Sequence, residues 1–205
     1  MAFEVVEALE LAEQVVDGLL GHAQPRSQFG GVGCVNSSAV RTCPICSEIV
    51  FTHPTGEARC QATSSQVDKS IFFFKARTGE LAGTFVLPRP QTEFENCTWH
   101  NYNVVPTSKR YVLVSGNYQS GISVVDFTNP AAAREIAFAD PAPLSTTSLV
   151  LGGDWSSYWY NGHIYESDIR RGLIVWGLSD SAVAAAQKLD HLNPQTEEFS
   201  IPLAH

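Results

Sequence analysis

The sequence predicts an all-β protein: a partial β-propeller of about three four-stranded blades, preceded by an N-terminal α-helix. Three observations carry that expectation. An apolar strand recurs at a spacing of 51 residues, as IFFFKA from Ile71, ISVVDF from Ile122 and LIVWGL from Leu173. A second strand repeats at the same offset, GTFVLP from Gly83 and REIAFA from Arg134. From Ser47 onward, short runs rich in β-branched and aromatic residues alternate with turn signals. A fixed period of roughly 40–50 residues is how propeller blades show themselves, each blade being a four-stranded sheet.

Residues 1–33 read as a helical segment followed by a linker. Glu4, Glu7, Glu10 and Glu13 recur every three positions, and Val5, Val6, Leu9, Ala12, Val16, Leu19 and Leu20 supply an apolar stripe. That pattern is an amphipathic helix over 2–21, packed on a domain or on a partner chain. Its acidic polar face argues against a membrane surface, which would want Lys and Arg there. Pro25 and Gly30–Gly31 then mark a linker from Gly21 to Gly33.

Residues 34–180 carry the blades. SEIVFTH, KSIFFFKA and GTFVLP form one group of strands. NYNVVPT, RYVLVSGNY, GISVVDFT and REIAFAD form a compact group of four, the size of one blade. SSYWYN, GHIYESDI and GLIVWGLS add three more. The strands IFFF, ISVV and LIVW lack polar/apolar alternation, so both faces of each are expected to be buried between neighbouring blades. Residues 181–205 read as a short helix, SAVAAAQKL, and an irregular tail. Two blades and most of a third do not close a ring of 4–8. The chain therefore reads as the C-terminal part of a longer propeller, or as a subunit that self-associates to complete one.

Charge and composition exclude some functions. The chain of 205 residues has a net charge of -8, and its basic residues are scattered. A nucleic-acid partner is not expected, because the electrostatic attraction that drives phosphate binding is missing. No apolar run reaches the ~18 residues needed to span a bilayer, so no membrane span is expected. The N-terminus lacks the basic stretch and uninterrupted apolar core of a secretory signal. Five cysteines cannot all pair in disulfides. Asn36 and Asn96 begin Asn-x-Ser/Thr sequons, which matter only on a eukaryotic secretory route.

Residues 56–178 resemble secreted bacterial propellers of the LVIVD-repeat type. The resemblance lies in ARCQA (58–62), ENCTWHNYNVVP (95–106), YQSGISVVDFTNPAAAREIAFAD (118–140), GGDWSSYWYNGHIYESDIRRGLIVW (152–176) and NPQT (193–196). A glycine, the core strand and then D-F-T-x-P is the recurrent blade element of that family. The resemblance implies a propeller exported to the periplasm or the extracellular space, with no established reaction. It also implies cysteines at positions 60 and 97. A Cys60–Cys97 bridge would tie the 54–68 loop to the next blade's entrance in an oxidising compartment.

Several constellations bear on chemistry. Glu95, Asn96, His100, Asn101 and Asn103 form the densest polar group, at the entrance to an inner strand. Asp154, in Gly152–Gly153–Asp154–Trp155, opens the next blade roughly 51 residues later, and His53 ends an earlier strand. If these groups converge from separate blades, His100, Asp154, His53 and Glu95 could hold a divalent metal with an open position for water. They could equally bind a polar ligand, or satisfy buried backbone at crowded blade entrances. Apart from that possible metal, no cofactor is expected. Trp155, Tyr158, Trp159, Tyr160 and Tyr165 either pack between blades or stack on sugars. Glu166 and Asp168 lie on one face of a strand, and Arg170 and Arg171 beside them suggest a structural ion pair over acid–base chemistry. Cys43-Pro44-Ile45-Cys46 is a lone CxxC, and Cys34 and Cys60 do not complete a zinc-ribbon spacing.

The sequence thus points to a non-enzymatic binding module that recognises a protein or glycan at its rim through His100, Asn101, Asn103, Asp154, Trp155, Tyr158 and Tyr160. The alternative is a metal-dependent enzyme with a His/Asp/Glu site at the channel rim.

Overall fold

The recurring apolar strand is the third strand in each of three antiparallel sheets. The computed structural model describes residues 29–33, 49–54, 60–107 and 110–192. The first sheet runs β1 (Phe29–Gly33), β2 (Ile49–Pro54), β3 (Ser70–Lys75) and β4 (Leu81–Val86) in sequential order. The second runs β5 (Asn101–Val104), β6 (Val112–Gly116), β7 (Ile122–Asp126) and β8 (Arg134–Ala139), also in order. The third has β9 (Asp154–Tyr160), β10 (His163–Asp168) and β11 (Gly172–Gly177), with β10 in the middle. The described residues are thus all-β, in two sheets of four strands and one of three.

The spacing of 51 residues fixes more than the strands. Gly121 and Gly172, 51 apart, both take positive φ (65° and 83°) just before or at the start of the third strand, a conformation that glycine adopts without steric cost. Asn129 and Asp180, also 51 apart, each cap a 3₁₀ turn, at Pro130–Ala132 and Ser181–Val183. The D-F-T-x-P element is self-supporting. The Asp126 carboxylate accepts bonds from the Thr128 amide and hydroxyl, and the Thr128 hydroxyl oxygen accepts from the Tyr111 amide.

Alternate faces of the third strands build two successive interfaces. Ile71, Phe73 and Phe85 of the first sheet meet Tyr102, Val104, Leu113, Val125 and Phe127 in one core. Phe73 stacks on Phe127 with ring centroids 5.1 Å apart. The equivalent residues Ile122 and Val124 of the second sheet join Val112, Val114, Trp159 and Ile164 in a second core. The first strands are also neighbours: β1 packs beside β5, and β5 beside β9. Cys60 and Cys97 are joined in a disulfide that closes a loop of 37 residues. Closing a loop of that length stabilises by roughly 3–4 kcal/mol.

Four expectations are corrected. β3 and β7 are buried on both faces except at Lys75, but β11 is not: Leu173 is 73% exposed and Val175 48%. Among the described residues nothing packs on that face, so the apolar run lies open. The glycine-rich Phe29–Gly33, expected as linker, is a strand paired with β2. The expected helix SAVAAAQKL is only the 3₁₀ turn Ser181–Val183, after which the chain folds back on the second core through Leu189 and Leu192. The sequon residue Asn96 is buried, so the folded chain offers no acceptor there. The helix expected over 2–21, the sequon at Asn36, and Cys34, Cys43 and Cys46 lie outside the described residues.

Candidate binding site at the start of β5 and β9

His100 stands one residue before β5, and Asp154 is the first residue of β9. Their equivalent places in adjacent sheets bring three rings together. His100 lies 4.6 Å from Tyr118 and 4.9 Å from Trp155, and Tyr118 and Trp155 are 5.9 Å apart, centroid to centroid. Trp155 is 53% exposed, while His100 and Tyr118 are half-buried. The His100 Nδ1 lies 2.9 Å from the Trp155 carbonyl oxygen. A carbonyl can only accept, so the neutral imidazole carries its proton on Nδ1 and leaves Nε2 as an acceptor. Burial holds the imidazole below its ordinary pKa, and the bond to the Trp155 carbonyl pulls the other way.

The local backbone explains the cluster. Tyr118 sits in the left-handed region at φ 53°, an uncommon place for a bulky residue. Two backbone bonds hold it there: Tyr118 N–H to the Asp154 carbonyl and Asp154 N–H to the Tyr118 carbonyl, both 2.9 Å. Gly153 permits the close approach. A Cβ there would stand 2.1 Å from the Tyr118 carbonyl carbon. Strain of this kind, over-determined by its surroundings, concentrates at functional sites.

Beneath the rings is a polar floor. Gln119 Nε2 donates to Asn96 Oδ1 at 2.9 Å and to the Val150 carbonyl at 2.6 Å, while its Oε1 accepts from the Leu144 amide at 2.9 Å. Asn96 Oδ1 also accepts from the Gly152 amide at 3.0 Å. Asn101 Oδ1 accepts from the Ser157 amide at 3.2 Å, and Asn103 Oδ1 from the Trp159 amide at 2.7 Å. These two amides stitch β5 to β9, and Asn103 is buried.

The acidic residues lie deeper, between the second and third sheets. Asp154 is fully buried, and neither carboxylate oxygen has a well-formed hydrogen bond, the nearby Ser156 amide only partly offsetting the effect of burial. Burial, with Glu166 and Asp168 adding repulsion, pushes its pKa up to about 8. Glu166 is raised too, mainly by burial, although the Trp176 indole donates to it. Asp168 goes the other way. Burial alone would raise it, but the Arg171 and Arg170 amides and the Arg171 guanidinium, 2.8 Å away, outweigh that and lower it. The structural ion pair expected from the sequence is therefore Asp168–Arg171.

The structure brings His100 and Trp155 together, and Asp154 is tied to the cluster through its backbone bonds to Tyr118. Glu95 is buried and accepts from the Thr92 amide and hydroxyl. His53 lies on β2 opposite Gly30. Among the described residues, no three His, Cys, Asp or Glu side chains gather as a metal-ligand group. Tyr158 and Tyr160 are half-buried further along β9, and the Tyr160 hydroxyl reaches the Asp190 carbonyl at 3.4 Å. Trp159 is core. Sequence reasoning missed Tyr118 and Gln119. Their signal was the N-Y-Q-S-G turn between β6 and β7, which reads only as a turn until the left-handed Tyr118 is seen.

No protein-family model matches the chain, and no curated protein matches it.

Proposed function

We propose that the chain is a non-enzymatic binding module, its sheets being consecutive blades of an exported LVIVD-like propeller, and that it takes a glycan at the His100–Tyr118–Trp155 ring cluster. The observation that carries this reading is the half-exposed Trp155 ring, set at an angle against two further rings. Aromatic faces offer a large, rigid contact surface at low entropic cost, and the free Nε2 of His100 supplies an acceptor beside it. Adjacent first strands and a repeat of 51 residues support the propeller reading. The Cys60–Cys97 bridge is compatible with export.

The test is a glycan array, with a peptide array alongside, probed with the wild-type chain and Trp155→Ala. The expected result is selective retention of one glycan class, lost in the variant. Trp155 packs on two rings, so the variant is first checked for an unchanged circular-dichroism spectrum and a cooperative melt, which separates loss of binding from unfolding. Equal retention by both chains, retention on peptides alone, or none above background would overturn the reading.

A further inference from the structure

The outer face of the third sheet is equivalent, residue for residue, to two faces that are interior elsewhere in the chain. Ile71 and Phe73 are fully buried against the second sheet, and Ile122 and Val124 are buried against the third. Advancing by 51 residues gives Leu173 and Val175, which are 73% and 48% exposed. In register beside them on β10 and β9, Tyr165 pairs with both Val175 and Tyr158. Among the described residues nothing covers this face. After β11 the chain turns back, where the Gln187 amide donates to the Pro106 carbonyl at 2.9 Å and Leu189 joins the second core.

We infer that a second copy of this chain packs on this face, third sheet against third sheet, about a two-fold axis. Two features select that occupant. The first is charge. In a chain of net charge -8, the in-register outward positions of β9 to β11 (Ser156 and Tyr158 on the first strand; His163, Tyr165 and Ser167 on the second; Leu173 and Val175 on the third) include no Asp, Glu, Lys or Arg. Two copies meet there without like-charge repulsion. The second is the state of the other end. Head-to-tail stacking would need the far face of the first sheet, but Phe72 and Phe74 on that face are already 9% and 1% exposed. The free face is left to meet its own copy, an isologous contact that closes as a dimer. Sheets packed in this way lie about 10 Å apart.

The patch is small. Three strands of six or seven residues cover about 14 Å by 20 Å, less than half of the ~800 Å² per partner of a standard stable interface, the size of a weak, transient contact. The dimer is therefore concentration-dependent.

Sedimentation velocity over a range of concentrations tests this, with no ligand present, so the outcome is independent of the binding reading above. The wild-type chain should pass from monomer to dimer as concentration rises. Leu173→Asp, and separately Val175→Glu, should remain monomeric with an unchanged circular-dichroism spectrum. Leu149→Asp, at an exposed apolar position outside β9 to β11, should dimerise like the wild type. A wild-type chain that stays monomeric throughout, a dimer that survives both face substitutions, or one that Leu149→Asp also abolishes would overturn the inference. If one face variant misfolds, the other decides.

Discussion

The two interfaces between sheets share a register but not a chemistry. The first, between β3 and the second sheet, is lined by Ile71, Phe73, Phe85, Val125 and Phe127, with aromatic contacts and a disulfide at its border. The second has an apolar half of Val112, Val114, Trp159 and Ile164, but it also buries Asp154, Ser157 and Glu166. Polar atoms on Asn103, Asp154, Ser157, Trp159 and Glu166 lack a well-formed hydrogen bond there. The repeat explains the contrast. Ser115 and Asn117 of the second sheet, which bond to each other, are followed 51 residues later by Glu166 and Asp168. Period and strand order therefore set where side chains meet, whereas the residues chosen at those places set whether the contact is dry or charged. The ring cluster sits at the mouth of the charged interface. That placement suits a site, since a region with unmet polar groups is less stable locally and more easily adjusted than a dry core.

The largest expected effect is on the dry side. Phe73→Ala should destabilise by about 3–5 kcal/mol, because it removes a fully buried ring together with its stack on Phe127. Chemical denaturation, with the midpoint shift read at constant slope, measures it. A loss below about 1 kcal/mol would mean that the first interface is not the tight core that its burial describes.

Much of this contrast was hidden in the sequence, and for definite reasons. The third strands were legible because Ile71, Ile122 and Leu173 repeat at one spacing in apolar runs. Burial of β11 was misjudged because a period describes a strand, not whether a neighbour covers it. Phe29–Gly33 was read as linker because its three glycines carry no side-chain pattern. His100 and Trp155 were legible as residues at the starts of two successive groups of strands. Tyr118 was not, since its role depends on a left-handed backbone fixed by long-range bonds to Asp154. Asn101 and Asn103 read in the sequence as ligand groups or as partners for buried backbone, and which they are depends on the neighbouring strand: their amide oxygens accept from the Ser157 and Trp159 amides of β9.

A second prediction separates the interfaces by pH. With its pKa raised to about 8, the folded Asp154 holds a proton that the unfolded chain releases above about pH 4. The folded state thus binds more protons within that window, and its stability falls as pH rises from about 4 to about 8. One proton gives a slope of up to about 1.4 kcal/mol per pH unit. Glu166, also raised, acts in the same direction. Asp168 is lowered, so its contribution is kept above about pH 4 and lost only at more acid pH. Asp154→Asn should flatten the decline and raise the melting temperature at pH 8. An unchanged profile in the variant would show that Asp154 is ionised in the folded chain at neutral pH.

The smallest effect is the sharpest contrast with the dry interface. Ser157 is fully buried on β9, and its hydroxyl has no partner, although its backbone amide donates to Asn101. Ser157→Ala keeps that backbone bond and removes only the unpaired hydroxyl. A buried polar group without a partner costs about 1–3 kcal/mol, part of which the truncation recovers against a small loss of contact. The expected outcome is neutral to about 1 kcal/mol more stable, opposite in sign to truncation at Phe73. Thermal melts of the two variants beside the wild type settle it. If Ser157→Ala destabilises by as much as a core truncation, the hydroxyl is satisfied in solution, and the second interface is better ordered than its unpaired atoms indicate.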